Sequence, residues 1–267
     1  MTNEHGIDMK FTSRLRILIL LISTLGLWVC GVMLFTTAHA LTVGPTLTKT
    51  FPAPGASGLP PMNTAYLTRD SNDTFKFSTF GTRMFMQAPP SNVGENTRQV
   101  VWPTTTNPTL NQQSCATWLG ASSYFVQEGI ALRITNAGGV THAITVTKNI
   151  VYGVQWAFNI HYWDSSNTGS EAVGLGQWDM SKVVLNEIGN YQYMPWRVCF
   201  RAVNNVVSMK IWFPAQMKEP TWSDPNYTRS LTIPAAYSTP GYAGWYIGHI
   251  QPSNDAEYNG METWSIP

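Results

Sequence analysis

Charge is scarce in this sequence. Only 12% of its residues are Asp, Glu, Lys or Arg, and 16 basic residues stand against 15 acidic ones. A nucleic-acid binder needs a basic stripe to displace counterions, so this balance argues against one. With 43% hydrophobic residues the chain is also no charge-driven disordered polymer, because so apolar a sequence can bury a core. Histidine is rare as well. Beyond residue 40 there are His142, His161 and His249, none at zinc-ligand spacing. His-Glu-x-x-His, Gly-x-Ser-x-Gly and phosphate-loop patterns are all missing. Past residue 40 no apolar period of 3.6 residues lasts more than about two turns, which leaves little room for helices.

What is abundant fits a β protein. Gly (21), Pro (17) and many Trp, Tyr and Thr favour short strands joined by turns. The 267 residues suffice for one large domain or two small ones. Internal repeats are absent, and no Pro/Gly break past residue 64 divides the chain, so a single domain is expected over 65–267. Residues 41–64, rich in Pro, Gly and Thr, read as an extended linker or a first edge strand.

The N-terminus carries an uncharged, mostly apolar run from Ile17 to Phe35, preceded by Lys10, Arg14 and Arg16 and followed by Ala38-His39-Ala40. The small-x-small ending is what signal peptidase accepts, so residues 1–40 are expected to be a secretory signal with Leu41 as the mature start. The rival is an uncleaved anchor, since such a run just spans a bilayer; the membrane would then be touched only through this segment. Cys30 lacks the small preceding residue of a lipoprotein signal, and Met9 offers a cleaner basic start. Either way the bulk of the chain is expected outside the cytoplasm, secreted or held at the outer face of the membrane. Removing Glu4, Asp8, Lys10, Arg14 and Arg16 with the signal leaves a neutral chain.

Two cysteines then remain, Cys115 and Cys199. An exported chain with two cysteines invites one disulfide.

Candidate strands include 74–79, Arg83–Gln87, 124–126, 131–135, 142–148, 155–163, 174–179, Trp196–Val203, 206–213, 230–233, 243–250 and 262–266. So many short strands without intervening helices predict an all-β fold, a two-sheet antiparallel sandwich. In 155–163, Trp156, Phe158, Ile160 and Tyr162 alternate with a set that includes Asn159, His161 and Trp163. Successive strand side chains face opposite ways, so the first set is expected in the core and the second on a polar-aromatic face. In Trp196–Val203, Trp196, Val198, Phe200 and Ala202 alternate with Arg197, Cys199 and Arg201. Asn204-Asn205 tolerate a tight hairpin turn. On the return strand Val207, Met209, Ile211 and Phe213 oppose Ser208, Lys210 and Trp212.

The stretch 196–222 (WRVCFRAVNNVVSMKIWFPAQMKEPTW) resembles a signature of concanavalin A-like jelly-roll domains, a superfamily of lectins, laminin-G-like modules, glucanases and polysaccharide lyases. There an aromatic-x-basic strand, here Trp196 and Arg197, leads to a tight hairpin, a Lys-x-Trp return strand (Lys210, Trp212) and a Glu-Pro-x-Trp loop (Glu219, Pro220, Trp222). Segments 242–250 and 261–266 resemble the next and closing strands. The resemblance is good over 194–267 and follows only general pattern over 65–193. It implies a jelly-roll sandwich, and one fold hosts many chemistries.

It also implies what an enzyme of this superfamily would carry. The glucanase triplet Glu-x-Asp-x-Glu is absent; its nearest counterpart is Asp255-Ala256-Glu257-Tyr258-Asn259, which reads as a solvated loop. Glu128 and Glu187 read as lone surface carboxylates. Asn159-Ile160-His161 faintly resembles the polar-Ile-His strand of the lyases, without their arginine-rich strand. No catalytic residue or cofactor is therefore expected; Asp70 and Asp73 are candidates for a structural Ca²⁺. The leading expectation is a non-catalytic carbohydrate-binding module that takes a polysaccharide or other glycan on one sheet face built from Asn159, His161, Trp163, Arg201, Lys210 and Trp212. A divergent hydrolase or lyase, or an adhesive surface protein, are the alternatives.

Overall fold

The structure, a computed structural model, describes residues 46–51, 61–94, 96–123, 125–151, 154, 156–185 and 194–267. The expected signal or anchor, Tyr124, Gln155 and Glu187 lie outside the described residues. Among those described, no helix is long and apolar enough to cross a membrane.

The chain forms two antiparallel sheets. The strands are β1 (Thr46–Phe51), β2 (Met62–Thr68), β3 (Lys76–Phe80), β4 (Arg83–Gln87), β5 (Arg98–Pro103), β6 (Gln112–Ala121), β7 (Gln127–Ala137), β8 (Val140–Lys148), β9 (Ala157–Asp164), β10 (Ala172–Asp179), β11 (Trp196–Val203), β12 (Val206–Trp212), β13 (Thr228–Thr232), β14 (Tyr242–Gly248) and β15 (Asp255–Ser265). A one-turn helix, α1 (Ser181–Val184), follows β10. Sheet I runs β13-β12-β11-β6-β15-β4-β3, and sheet II runs β10-β9-β8-β7-β14-β5-β2. β4 pairs with the first half of β15 and β1 with the second, so the start of the described chain and its end meet on one strand.

Turn chemistry agrees with the register. Asn204 adopts φ 52° between β11 and β12, as the Asn-Asn pair predicts, and Gly138 and Gly139 (φ 60° and 82°) close the β7–β8 hairpin. The layer between the sheets takes one side of each central strand. Trp196, Val198, Phe200 and Ala202 of β11 and Val207, Met209 and Ile211 of β12 meet Phe158 and Ile160 of β9, with Trp118 and Trp245 among the fully buried side chains. The expected core sides of these three strands are thus the observed ones.

Three readings change. The polar stretch around Asp255-Ala256-Glu257 is the first half of β15 and not a loop; Ala256 and Tyr258 point into the core. Residues 98–103 and 112–121, without a strand assignment from their pattern, are β5 and β6, buried on both sides. Glu128 is not on the surface. It is fully buried and pairs with Lys148 at 2.8 Å, the lysine side chain being 7% exposed. The Tyr258 hydroxyl is also buried, and its ionisation is pushed well up by burial first and the Glu128 charge second.

Cys115 and Cys199 form the expected disulfide, linking directly opposed residues of β6 and β11. The bridge closes a separation of 84 residues. Replacing both cysteines with alanine is expected to cost about 2–4 kcal/mol on the chain-entropy argument, read as a lower urea midpoint at unchanged circular dichroism. Lys148→Met strands a buried carboxylate and should cost about 3–5 kcal/mol. Adding Glu128→Met should restore much of that in the same assay, because an apolar pair leaves no charge to desolvate.

Candidate functional site

The six residues expected to share one face do not. Asn159, His161 and Trp163 lie on the outer side of sheet II through β9. Arg201, Lys210 and Trp212 lie on the outer side of sheet I through β11 and β12. Each alternation was read correctly, yet β9 and β11 belong to different layers, so their polar sides point away from each other.

The outer side of sheet II is largely closed. Ala131, Ala143, Val100, Trp102, Leu67, Tyr246 and Trp163 form a second buried cluster there. Trp163 is 4% exposed and donates its indole N–H to Thr145 Oγ1 at 2.8 Å. His161 lies 5.6 Å from that indole, ring centre to ring centre, and the Arg98 guanidinium 5.4 Å. Arg98 also faces Nε2 of His249 at 2.7 Å. Because a guanidinium can only donate, that histidine nitrogen is the acceptor. Burial first and Arg98 second hold His161 below the usual imidazole range, which favours its neutral form. The half-exposed remainder lies at the sheet edge. Gln177 Nε2 donates to Asn159 Oδ1 at 2.8 Å, and Gly174, opposite His161, leaves open space beside the imidazole. Arg98, His249 and Gln177 do not stand out in the sequence because their place here is set by the order of six strands, from β10 to β5.

The outer side of sheet I is built around the disulfide. Trp212, 5% exposed, packs on Cys115 and Cys199, with Met217, Trp222, Tyr227 and Trp264 around it, partly buried. Lys210 is buried too. Its ammonium donates to Glu219 Oε1 at 2.6 Å and to the Pro220 carbonyl at 2.9 Å, 4.6 Å from the Trp222 ring centre and 5.2 Å from that of Trp212. Burial lowers its pKa, partly offset by Glu219. The Lys-x-Trp and Glu-Pro-x-Trp elements therefore meet in space: the lysine pins the loop after β12 onto the sheet. Neither Lys210 nor Trp212 offers an open surface. Arg201 does. Its guanidinium lies 4.2 Å from the Trp222 ring centre and is half-exposed. On the same side, Ser208 and Gln113 flank it on the neighbouring strands, Ser230 lies beyond the serine and Trp264 beyond the glutamine. Arg197 pairs with Glu262 one row away. A shallow open hollow of about 590 Å³ is lined by Trp212 and the segment from Pro214 to Glu219.

The remaining carboxylates are accounted for locally. Glu257 pairs with Arg83 at 2.7 Å. Asp73, the calcium candidate, is buried and accepts N–H bonds from Val93 (2.8 Å) and Gly94 (3.0 Å), while Asp70 accepts one from Asn96 (2.8 Å). These carboxylates brace a turn. Among the described residues no cluster of three His, Cys, Asp or Glu is placed to hold a metal ion.

No protein-family model matches the chain, and no curated protein matches it in sequence. Its structure is similar to that of the VIP36 exoplasmic/lumenal domain in a Ca²⁺/Man-bound form, with 10% identity, TM-score 0.48 and coverage of 83% of this chain and 92% of that one. It is also similar to the carbohydrate recognition domain of Emp47p (9% identity, TM-score 0.46, 84% and 98% covered) and to carbohydrate-binding module CBM66 from Bacillus subtilis (6%, 0.45, 76% and 95%).

If Lys210 is the pin, Lys210→Met should loosen the loop after β12 at a cost of about 1–2 kcal/mol, modest because Glu219 is solvated. Faster limited proteolysis between Pro214 and Trp222, with the sandwich otherwise intact, is the expected readout.

Proposed function

We propose that this chain is an exported, non-catalytic carbohydrate-binding module whose binding surface is the outer side of sheet I. The single observation that carries the reading is one row of side chains across five strands: Ser230, Ser208, Arg201, Gln113 and Trp264. A pyranose presents an apolar C–H side and a rim of hydroxyls. The half-exposed Trp264 suits the first. The half-exposed Arg201 guanidinium and the exposed Ser230 hydroxyl suit the second, with the buried Ser208 and Gln113 between and beside them as support. At a strand spacing of about 4.8 Å, the four steps from Ser230 to Trp264 span about 19 Å, room for a short stretch of glycan. The disulfide and the signal-like N-terminus support export, since a bridge of this kind persists in an oxidising compartment.

One observation favours a second, enzymatic reading. Sheet II places Arg98 near a neutral His161, the base-and-cation pairing a lyase needs. That reading predicts ultraviolet absorbance from an unsaturated uronate when the protein is incubated with polyuronates, lost in His161→Ala.

The binding reading predicts retention in native gels cast with polysaccharide. Trp264→Ala should weaken it about tenfold or more, on the scale of 1–3 kcal/mol for one lost ring contact, with an unchanged melting profile. Absence of retention by any neutral or acidic wall polysaccharide would refute it.

A further inference from the structure

We infer that the glycan bound on sheet I is acidic, its anionic group taken by Arg201. This deepens the carbohydrate reading and rests on it.

Three cations stand on the outer side of β11 and β12: Arg197, Arg201 and Lys210. Two are neutralised within the chain, Arg197 by Glu262 and Lys210 by Glu219. Among the described residues Arg201 has no carboxylate within ion-pair distance and no hydrogen-bonding partner; its neighbour is the indole of Trp222. Burial alone perturbs its pKa, downward, so no nearby anion compensates the charge. A half-buried cation without a counter-charge costs folding free energy that a surface arginine avoids. Here that cost leaves five N–H donors unspent, in a planar fork that matches a carboxylate or sulfate edge to edge.

The surroundings supply the rest of a site. The Trp222 ring holds the guanidinium plane in place, which lowers the entropy lost on binding. Ser208, hydrogen-bonded to Ser230 at 2.7 Å, lies on one side, and Gln113, whose amide leans on Cys115 Sγ at 3.5 Å, on the other. The donors around Arg201 are thus attached to the disulfide-linked centre of the sheet and not to a loose loop. Glu219 and Glu262 are both held by their own cations, so neither compensates Arg201.

The experiment compares four immobilised polysaccharides: polygalacturonate, its methyl ester, dextran sulfate and neutral mannan. The wild-type protein should be retained by polygalacturonate and lose about tenfold in affinity on the ester, with retention falling as salt rises. Preference for dextran sulfate over polygalacturonate would support the same anion chemistry with sulfate as its source. Arg201→Gln should abolish the difference between acid and ester, Arg201→Lys should keep part of it, and Lys182→Gln, which removes an equal charge from the exposed side of α1, should leave it intact. Urea midpoints confirm that each variant folds. If Arg201→Gln does not fold, the acid-to-ester comparison and the salt dependence of the wild type decide alone. Equal retention on mannan, ester and acid would overturn the inference while leaving the carbohydrate reading in place. No retention on any of the four would overturn both.

Discussion

A pleated strand sends successive side chains to opposite sides, and almost everything in this molecule follows from how its central strands divide the two. β11 and β12 give one side to the inter-sheet core through Phe200, Met209 and their neighbours. They are then obliged to carry Arg197, Cys199, Arg201, Lys210 and Trp212 on the other. That second side is too crowded with large residues to be left wet. The chain resolves this by folding the segment after β12 back over the sheet. Lys210 serves as the electrostatic pin and the disulfide as the floor. Burying the ammonium is tolerable because a carboxylate, a carbonyl and two indole rings replace its water.

The same constraint shapes sheet II differently. Its outer side carries small residues on β7 and β8, such as Ala131, Ala143, Thr145 and Thr147, all buried, beneath Tyr246 and Trp163. A close fit of ring against small side chain makes a second core, not a cleft. At Gly129 even one added carbon would approach Tyr246 and Thr147 to 2.8 Å. Openness on this sheet survives only at its margin, where β10 presents Gly174 and Gln177 beside β9.

Much of the architecture was legible in the residues, and the reasons are specific. β9, β11 and β12 were found, with their core sides, because each has one apolar and one mixed side, which leaves a clean period of two. β5 and β6 were missed because both of their sides are buried: with neighbours on two edges and layers on two sides, Arg98–Pro103 and Gln112–Ala121 have no reason to alternate. The first half of β15 reads as a loop in the sequence because its outward positions, Asp255, Glu257 and Asn259, are polar. Glu128 shows the opposite failure. Its partner Lys148 is twenty residues away, so a buried ion pair looks like an isolated surface acid until β7 and β8 are laid side by side.

Sheet membership was the part no local pattern could supply. β9 and β11 have nearly interchangeable patterns, yet strand order places them in different layers. That order is decided by contacts distant in sequence, such as Cys199 against Cys115 and Trp264 against Gln113. Hence the residues expected on one surface divide between the outer sides of the two sheets. Composition also misleads about which tryptophans are available. Trp163 and Trp212 stand on outward-facing strand positions, where a ligand-stacking ring is sought, but Trp163 is buried in the cluster with Tyr246 and Trp102, and Trp212 is buried beside Met217 and Trp222. Trp264, on the outer side of β15, is only partly buried against the disulfide cluster. Ring exposure in this sandwich therefore depends on which side chains and loops return across the ring, more than on which side of the strand it occupies.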